Sequence, residues 1–239
     1  MILKDAVVFI TGANRGLGLA FAKEALKRGA RKVYAGMRNP ESFGLAIPGL
    51  EPVRIDVTDP ESILSASRAC ADATILVNNA GIVKLSESAL THELVAQSRD
   101  IFETNYYGVV QTTQAFVPVL RRNGSGAVVN VLSDAAWVSV PMLAAYAASK
   151  HAAWSFTNAL RIEVAAHDVQ VLGLHVGFLD TDMTAGVDVP KSDPNFVAGA
   201  TWDALIAGEM EILADQGTTA IKQSLSTSTP AYLNPVMPF

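Results

Sequence analysis

Tyr146 and Lys150 stand four residues apart, and Ser133 lies thirteen residues ahead of the tyrosine. A tyrosine hydroxyl ordinarily titrates at about pH 10 and is a poor acid or base at neutral pH. Residues i and i+4 of a helix share a face, so a lysine placed there is expected to favour the phenolate. Such a pair can give a proton to a carbonyl oxygen or take one from an alcohol. Ser133 could hold the same oxygen by a hydrogen bond. A Tyr-x-x-x-Lys spacing arises readily by chance, so the pair needs support from the rest of the chain.

Support comes from the opening of the sequence, Thr11-Gly-Ala-Asn-Arg-Gly-Leu-Gly18, which follows a short apolar run and precedes a helical pattern. Glycines let a backbone turn tightly and approach a phosphate, and the helix start aims its free N–H groups at the anion. The spacing Gly12-x-x-x-Gly16-x-Gly18 differs from the usual dinucleotide turn. Arg15 lies inside the turn. Arg38 follows the second apolar run, where an acid would bind a ribose hydroxyl and an arginine suits a 2′-phosphate. Each arginine could equally be solvated surface, but the two together favour NADP(H) over NAD(H). A hydride-carrying cofactor beside a proton donor points to a nicotinamide-dependent oxidoreductase.

These groups need a scaffold, and the pattern supplies one. Apolar, β-rich runs at 6–11, 32–37, 51–56, 74–78, 127–132 and 169–175, with a short one at 211–214, read as strands buried on both faces. Between them lie helical stretches over 17–28, after Asp59-Pro60, over about 92–121 with a kink expected at Pro118, and over 146–167. Such alternation predicts one Rossmann-type, doubly wound α/β domain over residues 1–239, with a mostly parallel seven-stranded sheet and helices on both faces. Residues 223–229 read as a polar Ser/Thr-rich tail. The polar, Pro- and Gly-bearing stretch at about 182–200 suits a substrate loop.

Composition narrows the partners. Half of the 239 residues are hydrophobic, net charge is −5, and no stretch concentrates Lys or Arg. That argues against nucleic acid or an anionic membrane surface. The N-terminus lacks the layout of a signal peptide, no run is long enough to span a bilayer, and the single Cys70 cannot form an internal disulfide. A cytoplasmic protein is expected. The histidines at 92, 151, 167 and 175 show no metal-ligand spacing, and Asp180 and Asp182 read as capping or loop groups, so no metal is expected.

Taken together, the motifs resemble the short-chain dehydrogenase/reductase family over roughly residues 6–184. The residues that carry the likeness are the turn from Gly12 through Asn14, Arg15, Gly16 and Leu17 to Gly18, then Asp56-Val57, Asn78-Asn79-Ala80-Gly81, Asn105, the Ser133–Tyr146–Lys150 set and Gly177-Phe-Leu-Asp-Thr181. The resemblance implies that Asp56 and Val57 meet the adenine, that Asn78, Ala80 and Gly81 line the cofactor, and that Asn79 steadies the sheet. It implies that Gly177, Leu179 and Thr181 hold the nicotinamide carboxamide, and that Lys150 also reaches its ribose. Asn105 would hold a water for the proton relay. Val176 stands where the family usually has proline.

The implied reaction is NADPH-dependent reduction of an apolar ketone or aldehyde, reversible as alcohol oxidation, with Tyr146 as the acid. A steroid- or lipid-alcohol dehydrogenase and a non-catalytic NADP(H)-binding sensor or scaffold are the alternatives. Trp137, Met142, Leu143, Phe178 and Met183 could line the substrate pocket or belong to the core. Asp134 either influences substrate polarity or hydrogen-bonds a loop. The small face of Ala147, Ala148, Ala152 and Ala153 suits close packing against the sheet or a second subunit, and a homodimer or homotetramer is expected. The chain lacks the family's Asp-Gly-Gly after the last strand.

Overall fold

The computed structural model describes residues 3–124 and 126–235. In chain order its main elements are β1 (Val7–Thr11), α1 (Gly16–Lys27), β2 (Lys32–Met37), β3 (Leu50–Arg54), α2 (Pro60–Ala69), β4 (Ile75–Asn78) and α3 (Leu94–Phe102). There follow α4 (Gly108–Arg122), β5 (Gly126–Val131), α5 (Ala144–Val164), β6 (Val169–His175), α6 (Pro194–Ala207), β7 (Glu211–Leu213) and α7 (Gln216–Ser224). The strands form one sheet in the order β3-β2-β1-β4-β5-β6-β7, parallel at every pairing. The order reverses between β1 and β4, which opens a crevice at the carboxyl ends of the strands.

Parallel strands need helical crossovers, which cover both faces of the sheet. That is why β1 reads Val-Val-Phe-Ile-Thr and is buried along its length. Val8 and Ile10 face the layer of α1 and α6, where Phe21 and Trp202 meet edge to face at 5.3 Å. The Trp202 indole also donates to the Phe21 carbonyl at 3.2 Å. Val7 and Phe9 face the other layer, with the Phe9 ring 4.3 Å from Phe116 of α4. Aromatic contacts of this kind add about 0.5–1.5 kcal/mol each beyond area burial. Cys70 lies in this second core, where burial pushes its thiol up to about 12. It is an inert packing residue.

Several expectations shift. The helix expected over 92–121 is interrupted by a π-helical turn at Glu103–Tyr107, and Pro118 lies inside α4, which runs on to Arg122. The loop expected to about 200 ends at Asp193, whose side chain caps α6 with Pro194 in the first turn. Part of the expected polar tail, through Ser224, belongs to α7, capped by Asp215 accepting from Thr218 N at 2.8 Å. Of the domain expected over 1–239, residues 1, 2, 125 and 236–239 lie outside the described residues. Among the described residues no helix is long and apolar enough to cross a membrane.

Candidate active site

A cleft of about 860 Å³ runs along the carboxyl ends of the strands. At one end it is floored by the β1–α1 turn. Gly12 sits there at φ +67°, in the left-handed region that glycine favours. A Cβ on Gly18 would collide with the Gly12 carbonyl oxygen and stand 2.6 Å from Asn79 Nδ2. The turn is therefore compact because it lacks side chains, and α1 begins without an acidic residue or a side-chain cap. That leaves its positive end free for an anion. Asn79 Nδ2 donates to the carbonyls of Thr11 at 2.9 Å and Gly12 at 3.2 Å, and the Thr11 hydroxyl accepts from Asn79 N and Ala80 N. The ends of β1 and β4 are thereby locked together across the switch point.

Arg38 leaves the end of β2 and lines the cleft with Asp56 and Val57. Burial alone would raise the Asp56 carboxyl, but the Thr58 N–H and hydroxyl and the charge of Arg38 hold it below its usual range. Arg15 reaches across the mouth to Asp182 at 2.6 Å, both side chains largely exposed.

Ser133, Tyr146 and Lys150 meet at the other end of the cleft. Ser133 follows β5, and its hydroxyl donates to Asp134 Oδ1 at 2.8 Å while accepting from Ala135 N at 3.1 Å. Tyr146 and Lys150 occupy one face of α5, with the ammonium 5.8 Å from the ring centre. Lys150 is buried and donates to the Val131 carbonyl at 2.9 Å. Burial draws its ammonium down to about 8. Tyr146 keeps part of its surface in the cleft. Even so, burial pushes its phenol up to about 12, with Ser133 opposing the rise and the Asp134 charge adding to it. This runs against the lowering expected from Lys150: burial sets the direction of the shift.

Of the residues singled out in the sequence, Asn78 and Asn105 do not line the cleft. Asn78 was expected to meet the cofactor along its backbone. Its side chain points into the helical layer, donating to Thr113 Oγ1 at 2.9 Å and Asn130 Oδ1 at 2.8 Å, because alternation along β4 turns it there and leaves Asn79 at the cleft. The Asn105 amide pins the β4–α3 connection, accepting from Ile82 N at 2.8 Å and donating to Ile82 O at 2.9 Å and Ser149 Oγ at 3.1 Å. Its position within the π turn was not visible in the helical pattern. Gly12, Asn14, Arg15, Gly16, Leu17, Gly18, Ala80, Gly81, Gly177, Leu179 and Thr181 all line the cleft.

Among the expected pocket residues, Leu143, Phe178 and Met183 line the cleft, whereas Trp137 and Met142 do not. Trp137 is core: it stacks on His175 at 3.9 Å and lies under the Lys222 ammonium at 4.4 Å. His175 Nδ1 donates to the Ser133 carbonyl at 3.0 Å, and its Nε2 lies 3.3 Å from Glu211 Oε1. Glu211 also pairs with Lys222 at 2.9 Å, and the His175 and Lys222 contacts overcome burial to hold its carboxyl down at about 2. Sequence reasoning missed this supporting network, since its members come from β6, β7 and α7. Ile221 of α7 also reaches the cleft unannounced. Among the described residues no group of three or more His, Cys, Asp or Glu side chains is placed to hold a metal.

Comparison with known proteins agrees with this geometry. A family model described as short chain dehydrogenase matches residues 6–191. A short chain dehydrogenase from Burkholderia cenocepacia J2315, solved in complex with NADP, is 37% identical, with a TM-score of 0.91 over 95% of each chain. Dehydrogenase/reductase SDR family member 7B from Bos taurus is 34% identical over 76% of this chain and 60% of its own length. 11-beta-hydroxysteroid dehydrogenase 1A from Arabidopsis thaliana is 32% identical over 77% of this chain and 55% of its own. The chain thus spans less than two thirds of the length of these two relatives.

Proposed function

The chain belongs to the short-chain dehydrogenase/reductase family of oxidoreductases, and on that premise we propose that it reduces an apolar ketone or aldehyde with NADPH. The observation that carries the reading is the meeting of Ser133, Tyr146 and Lys150 in a cleft continuous with the glycine cradle and Arg38. NADPH, when bound, supplies the hydride. The Gly12–Gly18 turn would hold its pyrophosphate and Arg38 its 2′-phosphate, with Asp56 and Val57 at the adenine and Gly177, Leu179 and Thr181 at the carboxamide. The NADP-bound relative supports this choice of cofactor.

Ser133 and Tyr146 hold the carbonyl oxygen, and Tyr146 gives it a proton. The Tyr146 phenol carries its proton at neutral pH, as a reduction requires, and burial makes it hold that proton more tightly than usual. Lys150 offers its charge to the phenolate left behind, and Asn105 serves the relay that returns the proton. The test is consumption of NADPH and NADH against a panel of ketones and aldehydes. Turnover with NADPH is expected. Binding of NADPH without consumption of either cofactor would replace this reading with a sensor or scaffold role.

A second reading, an NAD(P)-dependent steroid- or lipid-alcohol dehydrogenase, is favoured by the apolar lining of Val138, Val140, Leu143 and Phe178 and by the likeness to the Arabidopsis protein. Oxidation of a steroid alcohol in preference to reduction of small ketones would select it. We further propose a single domain over 1–239 acting in the cytoplasm as a homodimer or homotetramer. Exposed Val95, Tyr107 and Ile162 on and between α3 and α5 support association. Light scattering that finds only a 25.3 kDa species would remove it.

A further inference from the structure

Asp134 is an acid lining the cleft beside Ser133, and the reaction just described gives it no task. Its Oδ1 accepts from the Ser133 hydroxyl at 2.8 Å and from Ala135 N at 2.7 Å. Its Oδ2 lies toward Gly177, 3.2 Å from where a Cβ on that glycine would stand. The same cleft is lined by the apolar Val138, Val140, Leu143 and Ile221.

Burial raises the Asp134 carboxyl, the Ser133 hydroxyl and Ala135 N–H oppose this, the Asp215 charge adds to it and His175 opposes it. Asp215 is already engaged by Gly177 N, Thr218 N and Thr218 Oγ1. Glu211 and Lys222 lie beyond His175, Tyr146 faces Asp134 from α5, and Lys150 is turned to Val131. Once the Ser133 hydroxyl turns to a substrate carbonyl, Asp134 Oδ1 keeps only the Ala135 N–H, and a buried carboxyl short of donors is costly.

We propose that Asp134 is a specificity-determining residue that accepts a hydrogen bond from a hydroxyl on the carbon next to the substrate carbonyl, so that the preferred substrates are 2-hydroxy ketones or aldehydes with an apolar remainder. This rests on the carbonyl being held by Ser133 and Tyr146 as proposed above, for which the Ser133 hydroxyl turns its one proton from Asp134 Oδ1 to the carbonyl and leaves Oδ1 to the substrate hydroxyl. The two oxygens of a 2-hydroxy carbonyl stand about one hydrogen-bond length apart, matching the separation of Ser133 Oγ and Asp134 Oδ1. A neutral hydroxyl fits better than an ammonium, because a neutral donor is accepted by either form of the acid whereas a cation needs the carboxylate, which burial disfavours.

The test uses the full chain saturated with NADP and three unreactive aryl acetamides: plain, 2-hydroxy and 2-methoxy. Calorimetry is expected to show the hydroxy amide binding about tenfold tighter than the other two. Asp134→Ala and Asp134→Val, which remove the acceptor, should level the series. The paired ketones should show the same ratio in kcat/KM, falling towards unity in both variants. Equal binding of the plain and hydroxy amides would overturn the proposal. So would methoxy binding as tightly as hydroxy, a result that needs no variant to fold. A preference that survives both substitutions would also refute it. If ketones are not turned over while the amide preference holds, the reductase reading fails and the hydroxyl subsite stands.

Discussion

The Lys150 ammonium donates to the Val131 carbonyl at 2.9 Å, tying the middle of α5 to the end of β5. The bond sets the lysine beneath the cleft beside Tyr146, and the burial that comes with it makes the charge easy to lose.

With Lys150 drawn down to about 8, reduction should fall as pH rises through that value, because the neutral amine no longer offsets the phenolate. Stability should move the other way. Between about pH 8 and 10.5 the unfolded chain keeps a lysine proton that the folded chain has released, so this group's contribution to folding improves as pH rises. A pH–rate profile flat to pH 10 would refute the first expectation, and a Lys150→Met variant with the same alkaline stability profile would refute the second.

Tyr146→Phe should lower kcat by about 10²–10⁴-fold or more while leaving NADPH affinity within about twofold. Steady-state rates beside a fluorescence titration of the nucleotide check both. Retained turnover would mean that another group is the acid.

Arg38→Asp should weaken NADPH far more than NADH, because it puts a negative charge where a 2′-phosphate is to be met. Equal loss for the two nucleotides would remove the argument for cofactor choice.

Gly18→Ala should weaken either nucleotide by at least about tenfold, since the new methyl group meets backbone at Gly12 and Ala13 rather than a movable side chain. A variant that binds as the parent does would show that the cradle tolerates widening.

Asn130→Val should cost about 1–3 kcal/mol of stability while sparing cofactor binding. It removes the acceptor for Asn78 Nδ2 and the donor to Thr157 Oγ1, both in the buried interior. Urea unfolding would measure the loss, and an unchanged midpoint would refute it.

Much of this was legible along the chain because the signals are local. The apolar runs are strands since both faces of a parallel sheet are covered, and Asp59-Pro60 opens a helix in the structure as its chemistry requires. The glycine turn, and the helix that sets Tyr146 and Lys150 on one face, depend on residues close in sequence. Direction is what such local signals leave open. Asn78 and Asn79 are neighbours of the same type, and only the register of β4 decides which faces the cleft. Trp137 could have lined the pocket, but His175 beneath it and Lys222 above it make it core.

The sequence by itself determined the fold class, the glycine turn and the helix that sets Tyr146 and Lys150 on one face, because periodicity, turn chemistry and helix spacing act over a few residues. The tertiary structure alone decided the polarity of the site. It brings Asp215 to the Gly177 backbone beside Asp134 and seats Ile221 in the cleft. It also buries Tyr146 enough to raise its phenol above the ordinary value. Those outcomes depend on how β6, β7 and α7 pack against the end of β5. Packing between distant segments sets desolvation and contact, which leave no periodic trace in the chain.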